Sequence, residues 1–191
     1  MNETLSTYHF SKERISKEED LIRDAKKDSS KFDILYNNYY EQIFLFVLKR
    51  VETEDIAADI TSQVFLKALT NISKYKEIGL PFGSWLYRIA RNEIYDLFLK
   101  NKIEMVVSIE SKGIWNMITE IGEEKNEEDY TKLHAALGTL DDDEMELIEL
   151  RFFEKRPFKE AAEILEITEN NAKVKTYRIL DKLKKLLQNE R

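Results

Sequence analysis

The chain has 191 residues, 42% apolar and 35% charged, with five glycines, two prolines and a net charge of −7. That length holds one large domain or two small ones, and so few turn residues argue for helices over a β-sandwich or barrel. The absence of cysteine excludes disulfides, thiol catalysis and thiolate zinc sites, and His9 and His134 stand too far apart in sequence to suggest a metal site or an acid–base pair.

None of the glycines has the spacing of a phosphate-cradling loop. The longest apolar run, Ile43 to Leu48, is far short of the roughly 18–20 residues that cross a bilayer, and the first residues, MNETLSTYHFSKER, are polar throughout. The expected protein is cytoplasmic, has no membrane insertion, no metal, no cofactor and no small-molecule substrate, and is not an enzyme.

In chain order, residues 1–30 alternate charges without a sustained apolar stripe; Leu21, Ile22 and Ala25 allow one amphipathic turn or two, and the segment reads as a loosely held leader. From Phe32 the apolar residues Leu35, Tyr36, Tyr39, Ile43, Phe44, Val47 and Leu48 recur at threes and fours, one face of a helix. A second helix starts near Glu54, with Ile56, Ala57, Ile60, Val64 and Ala68 inward and Asp55, Asp59, Gln63 and Lys67 outward. Gly79, Pro81 and Gly83 then break the pattern. A third helix resumes through Trp85, Leu86, Ile89, Ala90, Ile94 and Leu97, with Ser84 as its expected N-cap.

Residues 103–130 read as an acidic linker, because the GEEKNEED run cannot bury enough surface to fold alone. Ile103 to Glu146 carries thirteen acids and three bases, net −10, so the rest of the chain sums to +3. Beyond it Leu133, Leu137, Leu140, Met145, Leu147, Ile148, Leu150 and Phe152 restore the helical period. Pro157 suits the first position of a helix FKEAAEIL, and Thr168 suits the N-cap of a last helix with Ala172, Thr176, Ile179, Leu183 and Leu186 on one face. The fold class expected is all-α: a helical module over 31–102, the linker, and a four-helix module over 131–191 ending in a helix-turn-helix.

Three polar faces are candidates for function. The last helix presents Asn170, Asn171, Lys173, Lys175 and Arg178; Asn and Arg read adenine and guanine edges in a major groove, and lysines hold phosphates. A solvated basic face would look the same by charge, but the short turn and the small Ala162 favour DNA. On the third helix Arg88, Arg91, Asn92, Tyr95 and Lys102 share a face, beside a loop carrying Tyr75, Lys76 and Phe82, a composition that suits stacking on single-stranded DNA. Core packing is the commoner use of Phe82 and Trp85, and spacing alone leaves that open. On the second helix Asp55, Asp59 and Gln63 form a stripe that a basic partner helix could read, or that water could solvate.

The runs FDILYNNYYEQIFLFVLKRV, DIAADITSQVFLKAL and FGSWLYRIARNEIYDLF resemble the second conserved region of bacterial sigma-70-type initiation factors, in their short extracytoplasmic-function (ECF) group. The tail LDDDEMELIELRFFEKRPFKEAAEILEITENNAKVKTYRILDKLKKLL resembles the fourth region of the same group. The resemblance implies a sigma factor that binds core RNA polymerase through Asp55, Asp59, Gln63 and Phe65. It implies reading and melting of the minus-ten element by Tyr75, Lys76, Phe82, Arg88, Arg91, Asn92 and Tyr95, and reading of the minus-thirty-five element by Asn170, Asn171, Lys173, Lys175 and Arg178. Promoter DNA and an anti-sigma factor are the further partners implied, and the acidic linker would thread the channel that later holds RNA.

The sequence departs from the family at several places. Ala58 and Ser62 stand where Glu and Gln are common, the basic run after the third helix is reduced to Lys100 and Lys102, and Glu166 replaces the usual turn glycine. The turn is therefore expected to be of another type or strained, since positive φ is uncommon outside glycine. The alternatives are a sigma-like regulatory protein-binding module and a one-component helix-turn-helix regulator, with an enzyme last.

Overall fold

The computed structural model describes residues 12–101, 111–122 and 127–189, and every regular element among them is helical. They fall into two compact units, one within His9–Ser108 and one within Ile109–Arg191.

The first unit holds α1 (Lys12–Lys27), a 3-10 turn (Ser29–Lys31), α2 (Phe32–Leu48), α3 (Glu54–Asn71), a second 3-10 turn (Ile72–Lys74) and α4 (Phe82–Asn101). Asp28 starts the first turn: its carboxylate accepts from the Ser30 amide at 3.0 Å and the Ser30 hydroxyl at 2.7 Å, which holds its pKa below the ordinary value. Thr53 caps α3, its hydroxyl accepting from the Ile56 amide at 3.3 Å, and Glu54 and Asp55 suit the positive end of that helix. On α3 the inward set is Ala57, Ile60, Thr61, Val64, Phe65 and Ala68, close to expectation. On α2 it is Phe32, Leu35, Tyr39, Ile43, Phe46 and Val47. Tyr36 turns outward and Phe44 and Leu48 are half-buried, while Phe46, which the period missed, is buried beside Tyr87 with centroids 4.7 Å apart.

Two expectations for this unit are corrected. Residues 12–27 are not a loose leader, because Glu18, Ile22 and Ala25 of α1 are buried against the rest of the unit; residues 1–11 lie outside the described residues. Ser84 is not the N-cap of α4 but lies inside it, buried. The helix starts three residues earlier because Glu18 of α1 supplies the cap, accepting from the Phe82 amide at 2.5 Å. Gly83 then sits in the first turn, where a Cβ would lie 2.5 Å from Cε1 of Tyr39. The glycine that looked like a helix breaker is what lets α2 and α4 approach.

The second unit holds α5 (Ser111–Ile121), α6 (Glu127–Leu137), α7 (Asp142–Ile148) running into a π-type turn (Glu149–Phe153), α8 (Phe158–Ile164) and α9 (Glu169–Asn189), and α9 packs against α5, α6, α7 and α8. Asp141 and Glu144 form a reciprocal capping box on α7, with bonds of 2.8 and 3.3 Å. The linker expectation is corrected over 111–121. Ile114, Met117, Ile118 and Ile121 of α5 are buried at helical spacing, so the acidic run begins only after this helix. The Phe153 ring occupies the space a Cβ of Gly113 would need, 1.5 Å from the would-be atom. Residues 103–110 and 123–126 of the expected linker lie outside the described residues, as does Lys102 of the expected face on the third helix.

Candidate nucleic-acid interface

The helix-turn-helix is α8, residues 165–168 and α9. Pro157 stands one position before α8, with its carbonyl accepting from the Ala161 amide at 3.0 Å. Behind α8, Arg156 is buried with its guanidinium 3.3 Å from Glu160 and 4.0 Å from Glu154. Arg151, half-buried, lies 4.0 Å from the Phe158 ring and donates to the Arg156 carbonyl. Burial pushes its pKa below the ordinary arginine value.

The turn is a left-handed C-cap made with a glutamate. Glu166 has φ +55°, the Ile167 amide donates to the Ala162 carbonyl at 3.0 Å, and the Glu166 amide donates to Glu163 at 3.3 Å. The geometry is that of the glycine turn, retained without the glycine, so the strained alternative holds and a different turn type does not. Thr168 caps α9 as expected, its hydroxyl accepting from the Asn171 amide at 3.2 Å.

On α9 the buried face is Ala172, Thr176, Ile179, Leu180, Leu183 and Leu187; Leu186 is exposed rather than inward. Asn170, Asn171, Lys173, Lys175 and Arg178 are all exposed. Lys173 pairs with Glu169 at 2.6 Å. Two further residues share the surface: Val174, 39% exposed, and Tyr177, 54% exposed. At about 100° per residue Val174 stands opposite the centre of the buried face, with Asn170 and Tyr177 to one side and Asn171 and Arg178 to the other. The apolar period gives no reason to single out an outward valine, so it was missed; its place opposite the core could have found it.

In the first unit Arg88, Arg91 and Tyr95 are half-buried and Asn92 is exposed along one side of α4, with the Arg91 guanidinium 4.8 Å from the Tyr95 ring. Lys76 is exposed on the loop. Tyr75 and Phe82 are corrected: both are buried, Phe82 fully. The Phe82 ring has Phe32 at 6.4 Å, Tyr39 at 6.0 Å, Tyr75 at 5.2 Å and Trp85 at 5.4 Å, so it is the centre of an aromatic core and offers no face to a base. The exposed loop residues are instead Lys76, Glu77, Ile78 and Gly79.

On α3, Asp55, Asp59 and Gln63 are exposed in one stripe, and Leu66, 61% exposed, continues it. Phe65 is corrected: it is buried under Phe32, Tyr36 and Tyr40, with centroids 6.5, 4.7 and 6.2 Å away. Its ring backs the exposed Tyr36 rather than forming surface.

Two family models match the chain, Sigma-70 region 2 over residues 35–103 and Sigma-70, region 4 over residues 136–185. The chain belongs to the sigma-70 family, in its ECF group. It is 28% identical over 165 residues to the ECF RNA polymerase sigma factor BldN of Streptomyces coelicolor, a match covering 85% of this chain and 62% of BldN. It is 26% identical over 154 residues to the ECF RNA polymerase sigma factor SigM of Bacillus subtilis, covering 81% of this chain and 93% of SigM. The fold is shared with the sigma factor RpoE of Bartonella quintana, solved in complex with the anti-sigma factor NepR, at TM-score 0.54 and 21% identity over 84% of this chain and 98% of that one. Sigma factors are transcription initiation factors. No helix among the described residues is long and apolar enough to cross a membrane.

Proposed function

We propose that this ECF sigma factor docks on core RNA polymerase through the α3 stripe of Asp55, Asp59, Gln63 and Leu66 and selects promoters with two separate DNA surfaces, performing no covalent chemistry itself. Duplex DNA at the minus-thirty-five element meets α9: Asn170, Asn171 and Arg178 reach base edges, Lys173 and Lys175 hold phosphates, and Val174 meets a thymine methyl. The separated strand of the minus-ten element meets Lys76, Ile78, Arg88, Arg91, Asn92 and Tyr95, where unstacked bases find edge bonds and stacking. Tyr75 and Phe82 serve that surface from beneath, as packing. The protein works in the cytoplasm with the polymerase, and the fold it shares with RpoE supports an anti-sigma factor as a further partner. Residues 31–102 are thereby assigned to core and minus-ten binding, and residues 131–191 to minus-thirty-five binding.

The observation that carries this reading is the α9 surface, where every base- and phosphate-seeking residue faces out around a single axis. Run-off transcription on genomic fragments with purified core polymerase tests it: specific transcripts are expected only when the protein is added. Asp59→Arg is expected to abolish core binding at unchanged melting temperature, because charge reversal at an interface costs more than on a solvated face. A transcriptionally silent protein that still binds core would favour the regulatory module instead.

A further inference from the structure

Resting on the minus-ten reading above, we propose that α1 is the positioning element of loop 76–81, holding it at both ends through Lys26 and Glu18 and so setting the selectivity of the strand contact. The matched region 2 model begins at residue 35, so α1 lies outside it.

The loop runs from the 3-10 turn at Ile72–Lys74 to α4 with no helical ladder to hold it. Lys76, Glu77, Ile78 and Gly79 are exposed, and buried residues bound them on either side, Tyr75 before and Leu80, Pro81 and Phe82 after. Both boundaries are tied to α1. At the start, the Lys26 ammonium donates to the Tyr75 carbonyl at 2.9 Å and lies 5.7 Å from the centroid of the Tyr75 ring. At the end, one Glu18 oxygen accepts from the Phe82 amide at 2.5 Å and the other accepts from the Tyr39 hydroxyl of α2. Burial, and then the Glu18 charge, raise the pKa of that hydroxyl far above the ordinary tyrosine value, so it remains a donor.

The Glu18 carboxylate thus occupies the N-terminus of α4, where unpaired amides and the helix dipole favour negative charge. Eight residues of helix separate Glu18 from Lys26, about 12 Å at 1.5 Å per residue. Ile22 and Ala25, buried between them, seat this rod on the unit. A rod of set length pinned at two points fixes the span of the loop, and with it the distance between Lys76 and Ile78 on the loop and Arg88 and Asn92 on α4. Discrimination among bases depends on that distance, whereas docking on core through α3 does not.

The test uses full-length protein assembled with core polymerase, on a promoter recovered by run-off transcription and on its single-base minus-ten variants. Lys26→Met keeps the alkyl stem, loses the ammonium and alters an exposed side chain, so the fold is retained. It is expected to reduce discrimination among the minus-ten variants roughly 3–10-fold, the loss of one modest hydrogen bond. Core affinity and upstream duplex binding are expected to stay unchanged, and amide exchange is expected to quicken in 76–80 but not in α3. Glu18→Gln, which keeps an acceptor for the Phe82 amide, is expected to retain more discrimination than Glu18→Ala. Faster loop exchange with undiminished discrimination, or no change in either, would overturn the inference while leaving the function intact. A wild-type holoenzyme that does not discriminate among minus-ten variants would instead sink the strand-contact reading, and this inference with it.

Discussion

The two surfaces proposed to face DNA are built by opposite means. On α9 one helix carries every proposed contact residue, so a period of 3.6 that buries Ala172, Ile179 and Leu183 necessarily turns Asn170, Val174 and Arg178 outward. On the other surface the proposed contact residues are divided between α4 and a loop without a period, and α1 and α2 decide which side chains face out. Tyr75 and Phe82 turned inward there, though they have the composition of a base platform. A recognition surface on a single element is readable from spacing; one assembled from several depends on their packing.

The largest expected effect on this comparison is in the first unit. Gly83→Ala places a Cβ against the Tyr39 ring and is expected to cost about 1–3 kcal/mol, with faster amide exchange along α4 and no change along α9. If α4 is unaffected, the close approach of α2 is not what holds the second surface together.

Arg178→Ala is expected to weaken binding to a minus-thirty-five duplex by roughly 1–3 kcal/mol and to relax preference at one base pair. Lys175→Ala should weaken all sequences alike and lower the salt slope by about 1. Indistinguishable behaviour of the two variants would show that α9 holds DNA without reading it.

Glu166→Gly is expected to stabilise the second unit by about 0.5–1 kcal/mol, the relief of left-handed strain less the added entropy of glycine, seen as a higher urea midpoint at unchanged slope. A destabilised variant would mean that the Glu166 side chain contributes more than its backbone strain costs.

An effect of similar size is the sharpest probe of Val174. Replacing thymines of the upstream element by deoxyuridine, one at a time, removes a methyl and should cost about 0.8 kcal/mol, or roughly 4-fold, at one position. In Val174→Ala the same replacement should cost less. A uniform response would remove Val174 from the base contacts.

Much of the α-helical order, the helix-turn-helix and the polar face of α9 were legible in the sequence because each arises from local rules: caps at Thr53 and Thr168, periodic burial, and few turn residues. Acid density across 103–130 hides α5, whose apolar residues Ile114, Met117, Ile118 and Ile121 sit at helical spacing before the acidic run begins. That signal was local and available. Other features had no local signal.

By itself the sequence determined an all-α chain, the outward face of α9 and a glutamate where the turn needs a left-handed residue, since periodicity, capping and positive φ act within a few residues. Only the tertiary structure decided that Phe82 is core, that Phe65 lies beneath Tyr36 and that α4 begins at a carboxylate from α1. Each of these depends on a partner distant along the chain, Glu18 being 64 residues from Phe82, and pairings at that separation are selected by packing and by the cost of leaving a buried amide unsatisfied.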